Sequence, residues 1–177
     1  MSRVWVWVLL AAGTAAAQST EWPAYGHDPG GARFSPLKQI NPENVGKLRR
    51  AWVYKTGEFG NFETTPIVVG GIMYVTTQAQ KIVALEPETG KEIWKFDPKS
   101  RLRELRGVSY WPGDRQTGAR ILLGTSDGRL VALEAKTGQP AAGFGDTGRS
   151  TCARVSPISS LRPRHIRSRR RPPFSRT

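Results

Sequence analysis

Short apolar runs separated by glycine-bearing turns dominate the chain from residue 67 onward, and no stretch holds a 3.6-residue apolar period for three helical turns. Ile67-Val68-Val69 and residues 72–76 flank Gly70-Gly71, which predicts a hairpin of β-branched and aromatic residues around a two-residue turn. Residues 81–85 are the next predicted strand. Glu88-Thr89-Gly90-Lys91 reads as a turn with glycine at the position of positive φ, and Glu92-Ile93-Trp94-Lys95-Phe96 alternates like an outer strand. The pattern then returns. Residues 77–90 lie without a gap over residues 125–138, at an offset of 48, with Thr77/Thr125, Val83/Val131, Ala84/Ala132, Leu85/Leu133, Glu86/Glu134, Thr89/Thr137 and Gly90/Gly138 identical. Ile121-Leu122-Leu123 and Leu130-Val131-Ala132-Leu133 repeat the strands. Four short strands in a unit of roughly 50 residues make a propeller blade, so the predicted fold is all-β.

About two such blades are present. A propeller ring closes with roughly four to eight, each burying its faces against its neighbours. Two blades leave both ring-facing surfaces and several strand edges open, so the chain is expected to be part of a larger ring.

The first residues follow a different grammar. Arg3 supplies a positive start, residues 4–12 are an unbroken apolar run, and Ala15-Ala16-Ala17 offers small residues for cleavage. A membrane span needs about 20 apolar residues. The shorter run instead predicts a secretory signal peptide over residues 1–17, with the mature chain starting at Gln18 and no transmembrane segment after cleavage. Export places the protein in the periplasm or outside the cell.

Composition changes the picture mainly at the other end. The 177 residues hold 27 Lys and Arg against 14 Asp and Glu, a net charge of +13. Nine of those cations are arginines in residues 149–177, which contain no acid and no lysine, so residues 1–148 carry only 18 basic against 14 acidic groups. The 38% hydrophobic content with 19 Gly and 13 Pro suits a turn-rich β protein and excludes collagen, coiled coils and multi-span membrane proteins. The single cysteine, Cys152, excludes a disulfide framework or a Cys-based zinc site within the chain. His27 and His165 lack metal-ligating partners at useful spacing and read as ordinary loop residues.

Several segments together resemble a known family. Trp22-Pro23-Ala24-Tyr25-Gly26-His27-Asp28, Arg33-Phe34-Ser35-Pro36-Leu37 and Ile40-Asn41-Pro42-Glu43-Asn44-Val45 resemble the opening of the quinoprotein dehydrogenases that use pyrroloquinoline quinone (PQQ). Leu85-Glu86-Pro87-Glu88-Thr89-Gly90-Lys91-Glu92-Ile93-Trp94 is similar to their tryptophan-docking motif, which many propellers share. Arg106-Gly107-Val108-Ser109-Tyr110-Trp111-Pro112-Gly113-Asp114 is far more specific to the family. The resemblance spans residues 22–148.

It implies an eight-bladed propeller with PQQ near the ring axis beside a calcium ion, which acts on the quinone as a Lewis acid while an Asp serves as general base. Sugars or alcohols would be the substrates, and a quinone or cytochrome the electron acceptor. Two cofactor-binding positions carry over. Glu63, in Phe62-Glu63-Thr64-Thr65-Pro66, resembles the glutamate that hydrogen-bonds PQQ, and Arg106 resembles the arginine facing the cofactor's oxygens, where a planar, permanently charged fork suits carboxylate and quinone acceptors. The calcium ligands and the catalytic Asp come from later blades, so no catalytic or metal-binding residue carries over. PQQ and calcium are therefore not expected to be held stably by these residues alone. The alcohol-oxidising branch has two adjacent cysteines shortly before the arginine motif; residues 101–105 contain none, which resembles the sugar- and polyol-oxidising branch.

The body of the molecule is thus read as residues 18–148, and residues 149–177 as a basic, disordered tail. Arg169-Arg170-Arg171 invites a nucleic-acid reading, which an exported protein does not favour, and no specific nucleic-acid partner is expected. Codon degeneracy offers another origin. Reading one base earlier permits Val-Asp-Leu-Arg-Ala-Gly-Val-Ala-Asp-Lys-Phe across residues 150–160 and Ser-Pro-Pro-Ala-Ile-Leu across residues 169–175, both similar to family sequence. The tail is accordingly read as a frameshift product on a truncated gene. Against the enzyme-fragment reading stands a non-catalytic propeller serving as a binding scaffold. Such scaffolds carry a lipid-anchoring cysteine and lack the arginine motif, and both features here favour the enzyme.

Overall fold

In a computed structural model, which describes residues 20–100 and 106–152, the chain forms two four-stranded antiparallel meanders. The first comprises β1 (Ile67–Val69), β2 (Ile72–Thr76), β3 (Ile82–Leu85) and β4 (Glu92–Phe96); the second comprises β5 (Ser109–Trp111), β6 (Arg120–Gly124), β7 (Arg129–Glu134) and β8 (Arg149–Thr151). These are the two predicted blades. The segment expected to be a leader, residues 1–17, together with residues 18–19, residues 101–105 and residues 153–177, His165 among them, lies outside the described residues.

Two strands depart from the pattern of apolar runs. β5 is the middle of the arginine motif, three residues between Gly107 and Pro112, too short to show alternation. β8 begins where the arginine-rich composition begins, and Arg149, Ser150 and Thr151 pair with Val131, Leu130 and Arg129. Its pairing comes from the register of β7 and not from apolar content of its own. The ordered sheet therefore extends three residues past the composition break.

The repeat is also not uniform. β6 starts 48 residues after β2, but β5 starts only 42 after β1. The difference of six sits in the connection between β5 and β6, residues 112–119, where the first blade has only Gly70-Gly71.

A tryptophan holds the blades together. Trp94 on β4 donates from Nε1 to the Ala135 carbonyl at 3.0 Å, and its ring lies so close to Gly138 that a Cβ there would sit 2.5 Å from ring carbons. Glycine at that turn thus serves both its positive φ of 68° and the approach of the indole. The same joint occurs once more, one blade back. Trp52 donates from Nε1 to the Pro87 carbonyl at 2.9 Å and covers Gly90, where a Cβ would overlap its ring. Pro87 and Ala135 are equivalent in the repeat, as are Gly90 and Gly138. Residues 51–56 therefore stand where the outer strand of a preceding blade would stand. Tyr54 extends this contact through its hydroxyl to Glu92, which is also paired with Lys95 at 3.2 Å. The opening segment covers the other edge, with Trp22 and Val68 exchanging backbone hydrogen bonds of 2.8 and 2.9 Å.

The core lies between the sheets. Ile67, Val69, Tyr74, Ile82, Ala84 and Trp94 from the first pack against Ile121, Leu123, Val131 and Leu133 from the second. The opposite face of the first sheet, Val75, Val83 and Leu85, packs on Trp52, Tyr54 and Met73. Tyr74 is 2% exposed and donates its hydroxyl to the Ala135 carbonyl at 3.2 Å, so that one carbonyl serves both Tyr74 and Trp94. Burial, with a smaller contribution from nearby Tyr110, pushes the Tyr74 phenol up to about 12. The unfolded chain releases this proton near its ordinary 10.0, so stability should be constant below that pH and fall as pH rises toward 12. In an alkaline absorbance titration Tyr74 should be the last of the four tyrosines to ionise, and Tyr74→Phe should remove that final phase. A final phase that survives the substitution would assign it elsewhere.

Candidate functional site

A recess of about 620 Å³ opens at the end of the first sheet where β1 begins and β2 ends. Residues 59–64, residues 76–78 and Arg106 line it. The strand direction explains this gathering: the segment entering β1, the turn leaving β2 and the segment entering β5 all emerge at the same end of the sheets. The Trp–Gly joints sit at the other end, in the turns that follow β3 and β7.

Both sequence-selected residues face this recess. They are 43 positions apart in sequence, and backbone contacts bring them together: the Thr65 N–H donates to the Arg106 carbonyl at 3.3 Å. Gly107 permits that approach. Its φ is 128°, and a Cβ would lie 3.0 Å from the Thr65 carbonyl oxygen. Glu63 and Arg106 are exposed, and neither side chain has a hydrogen bond or ion pair among the described residues. A carboxylate and a guanidinium thus share one recess with their hydrogen-bonding capacity unspent.

The rest of the arginine motif is architectural. Gly113 has φ 85°, and a Cβ there would overlap the Thr117 carbonyl. The Asp114 carboxylate accepts from the N–H groups of Gln116 and Thr117 at 2.9 and 2.8 Å, which holds it below its ordinary value. Asp114 closes the turn between β5 and β6, away from the recess.

Sequence reasoning missed most of the remaining wall. Thr64 and Thr76 share a hydroxyl–hydroxyl hydrogen bond of 2.6 Å, and Thr76 is 1% exposed. Asn61, Thr77 and Gln78 add polar groups, while Phe59 and Phe62 are exposed at the rim. Behind the wall, Glu58 accepts from the Ala79 N–H at 2.7 Å and pairs with Lys81 Nζ at 2.9 Å. Burial pushes its carboxyl up, but hydrogen bonds from Thr77, Lys81 and Ala79 outweigh that and hold it below its ordinary value. His27 takes no part; its ring packs at a tilt on Trp22, 4.9 Å between centroids.

A recess of this size suits a small planar molecule. The guanidinium can bind a carboxylate or adjacent oxygens with two N–H groups, and Glu63 can accept from an N–H or O–H of the same molecule. An ortho-quinone bearing three carboxylates meets these requirements, so the donor set fits PQQ. No group of three His, Cys, Asp or Glu side chains able to hold a metal ion converges among the described residues.

Comparison with known proteins gives a consistent result. The PQQ model described as "Glucose/ethanol/alcohol dehydrogenase, beta-propeller domain" matches residues 22–173. The quinoprotein glucose dehydrogenase of Escherichia coli (strain K12) is 40% identical over 152 residues, covering 72% of this chain and 19% of that protein. The dehydrogenase subunit of an alcohol dehydrogenase (quinone) from Gluconobacter oxydans (strain 621H) is 43% identical over 128 residues, covering 67% and 16%. In structure, the quinohemoprotein alcohol dehydrogenase of Comamonas testosteroni superposes with a TM-score of 0.60 at 37% identity, covering 71% of this chain and 19% of that one. The chain thus spans about a fifth of the length of the curated relatives it matches.

Proposed function

Because this chain belongs to the family of the PQQ-type glucose/ethanol/alcohol dehydrogenase β-propellers, we propose that its recess forms part of a PQQ site, with Arg106 and Glu63 as two of the cofactor's contacts. The observation that carries this reading is the meeting of those two unpaired side chains in one recess. Arg106 holds a carboxylate or quinone oxygens through its planar fork, and Glu63 accepts a hydrogen bond from the same ring system. Thr64 and Thr76 supply neutral hydroxyls beside them. When bound, PQQ supplies a quinone able to accept hydride from a CH–OH group. The ring as a whole would then oxidise a sugar or alcohol outside the cytoplasm and pass electrons to a quinone or cytochrome; the leader-like residues 1–17 support that location. The lack of cysteine in residues 101–105 supports a sugar or polyol as the substrate.

On this reading the present residues bind the cofactor weakly and turn nothing over, since the calcium site and general base belong to other parts of the ring. Titration of the chain with PQQ, followed by tryptophan fluorescence and by amide NMR shifts, should show weak saturable binding. Arg106→Ala should weaken it about tenfold, the loss expected for one charge-assisted hydrogen bond. Absence of saturable binding, or binding indifferent to Arg106→Ala, would refute the assignment. So would dye reduction by the chain alone with PQQ, calcium and a panel of sugars and alcohols.

A further inference from the structure

Glu63 reaches the recess on a segment with little support of its own. Residues 59–63 make no backbone–backbone hydrogen bond among the described residues, and Gly57 and Gly60, at φ 70° and 128°, bracket the start of the segment. The segment is nevertheless fixed at both ends to one hairpin. At the far end, the Thr64 hydroxyl meets the Thr76 hydroxyl at 2.6 Å, at the last residue of β2. At the near end, Glu58 holds the turn that follows, accepting from the Ala79 N–H at 2.7 Å and pairing with Lys81 Nζ at 2.9 Å. The intervening residues therefore form an arch that lines the recess, with Phe59 and Phe62 exposed at its rim.

The two anchors differ in kind. The threonine pair is neutral: besides the hydroxyl contact, the Thr76 N–H donates to the Thr64 hydroxyl oxygen at 3.4 Å. Glu58 is a largely buried carboxylate, its side chain 12% exposed, that joins a backbone donor and a cation. Where a loop lacks hydrogen bonds of its own, its end points decide where its side chains are held. We propose that Glu58 is a positioning residue for PQQ binding, acting through the arch to set the carboxylate of Glu63 in the recess. The inference rests on the reading of the recess as part of a PQQ site.

A double-mutant cycle with PQQ as the probe separates positioning from general support. Glu58→Gln keeps the shape and removes the charge; it should weaken PQQ binding about fivefold in the otherwise unchanged chain and cause no further loss in a Glu63→Gln background. Equal losses in both backgrounds, or none in either, would overturn the proposal while leaving the PQQ reading in place. Failure of the unsubstituted chain to bind PQQ would remove both together. A second readout needs no ligand: backbone order parameters from NMR relaxation at Asn61 and Phe62 should fall in Glu58→Gln while those within β2 and β3 are unchanged. A uniform fall across the sheet would mean that Glu58 serves only the fold. Should Glu58→Gln fail to fold, Lys81→Met removes the cation partner from a more exposed position and should give the same non-additive pattern with Glu63→Gln at about half the effect on a logarithmic scale.

Discussion

Replacing Trp94 by alanine should cost this chain about 3–5 kcal/mol, a large fraction of the stability of a natural domain. The residue is 9% exposed, its ring closes on Gly138, and its Nε1 bonds the Ala135 carbonyl. Removing it opens a cavity at the junction of the sheets and also takes away the ring that packs at a tilt against Tyr74, 5.9 Å between centroids. Trp94→Phe separates the terms. It keeps much of the volume and loses only one of the two hydrogen bonds to Ala135, so the cost should be nearer 1–2 kcal/mol. Urea denaturation followed by circular dichroism reads both values. An unchanged midpoint for Trp94→Ala would show that the joint does not hold the blades together.

Gly107→Ala should disturb the recess more than any other one-carbon change. At φ 128° an alanine is strained by about 1–3 kcal/mol, and its methyl would press on the Thr65 carbonyl oxygen 3.0 Å away. Neither side of this contact can yield without moving a binding group. Thr65 lies two residues after Glu63, and Gly107 directly follows Arg106. PQQ affinity should therefore fall at least tenfold, with a fall in stability of about 1–3 kcal/mol. Measuring both on one preparation is decisive. A variant that loses stability but binds PQQ as before would show that Arg106 and Glu63 are not set by this crossing of the backbone.

The strands were legible wherever they were apolar. β1, the Gly70-Gly71 turn, β2 and β4 fall where the hydrophobic pattern puts them, because a buried strand must show its burial in its side chains. β5 and β8 were not legible for the opposite reason: three residues each, half-exposed or exposed, they owe their conformation to neighbours. The site divides in the same way. Glu63 and Arg106 were found through family resemblance and share a recess, whereas Thr64, Thr76 and Gln78 look in sequence like strand-end polar residues of no distinction. Only the fold shows that three chain segments surface together there. Trp52 is the clearest omission. A signal existed, since Ala51-Trp52-Val53-Tyr54 is a short apolar run and, like Trp94-Lys95-Phe96, carries an aromatic two positions after the tryptophan.

The six-residue difference between the two blades falls wholly in the hairpin remote from the recess. At the recess end, residues 77–81 and their copy, residues 125–129, match without a gap; at the opposite end the turns after β3 and β7 also match, and only the first hairpin differs, turning in two residues in one blade and eight in the other. Length thus varies in one hairpin at the far end and not in the turn beside the recess. A graft or a tether introduced in that loop, residues 112–119, would extend from the far end, the full length of a strand away from Arg106. A chain immobilised through that loop on an electrode or bead would keep its recess facing the solution.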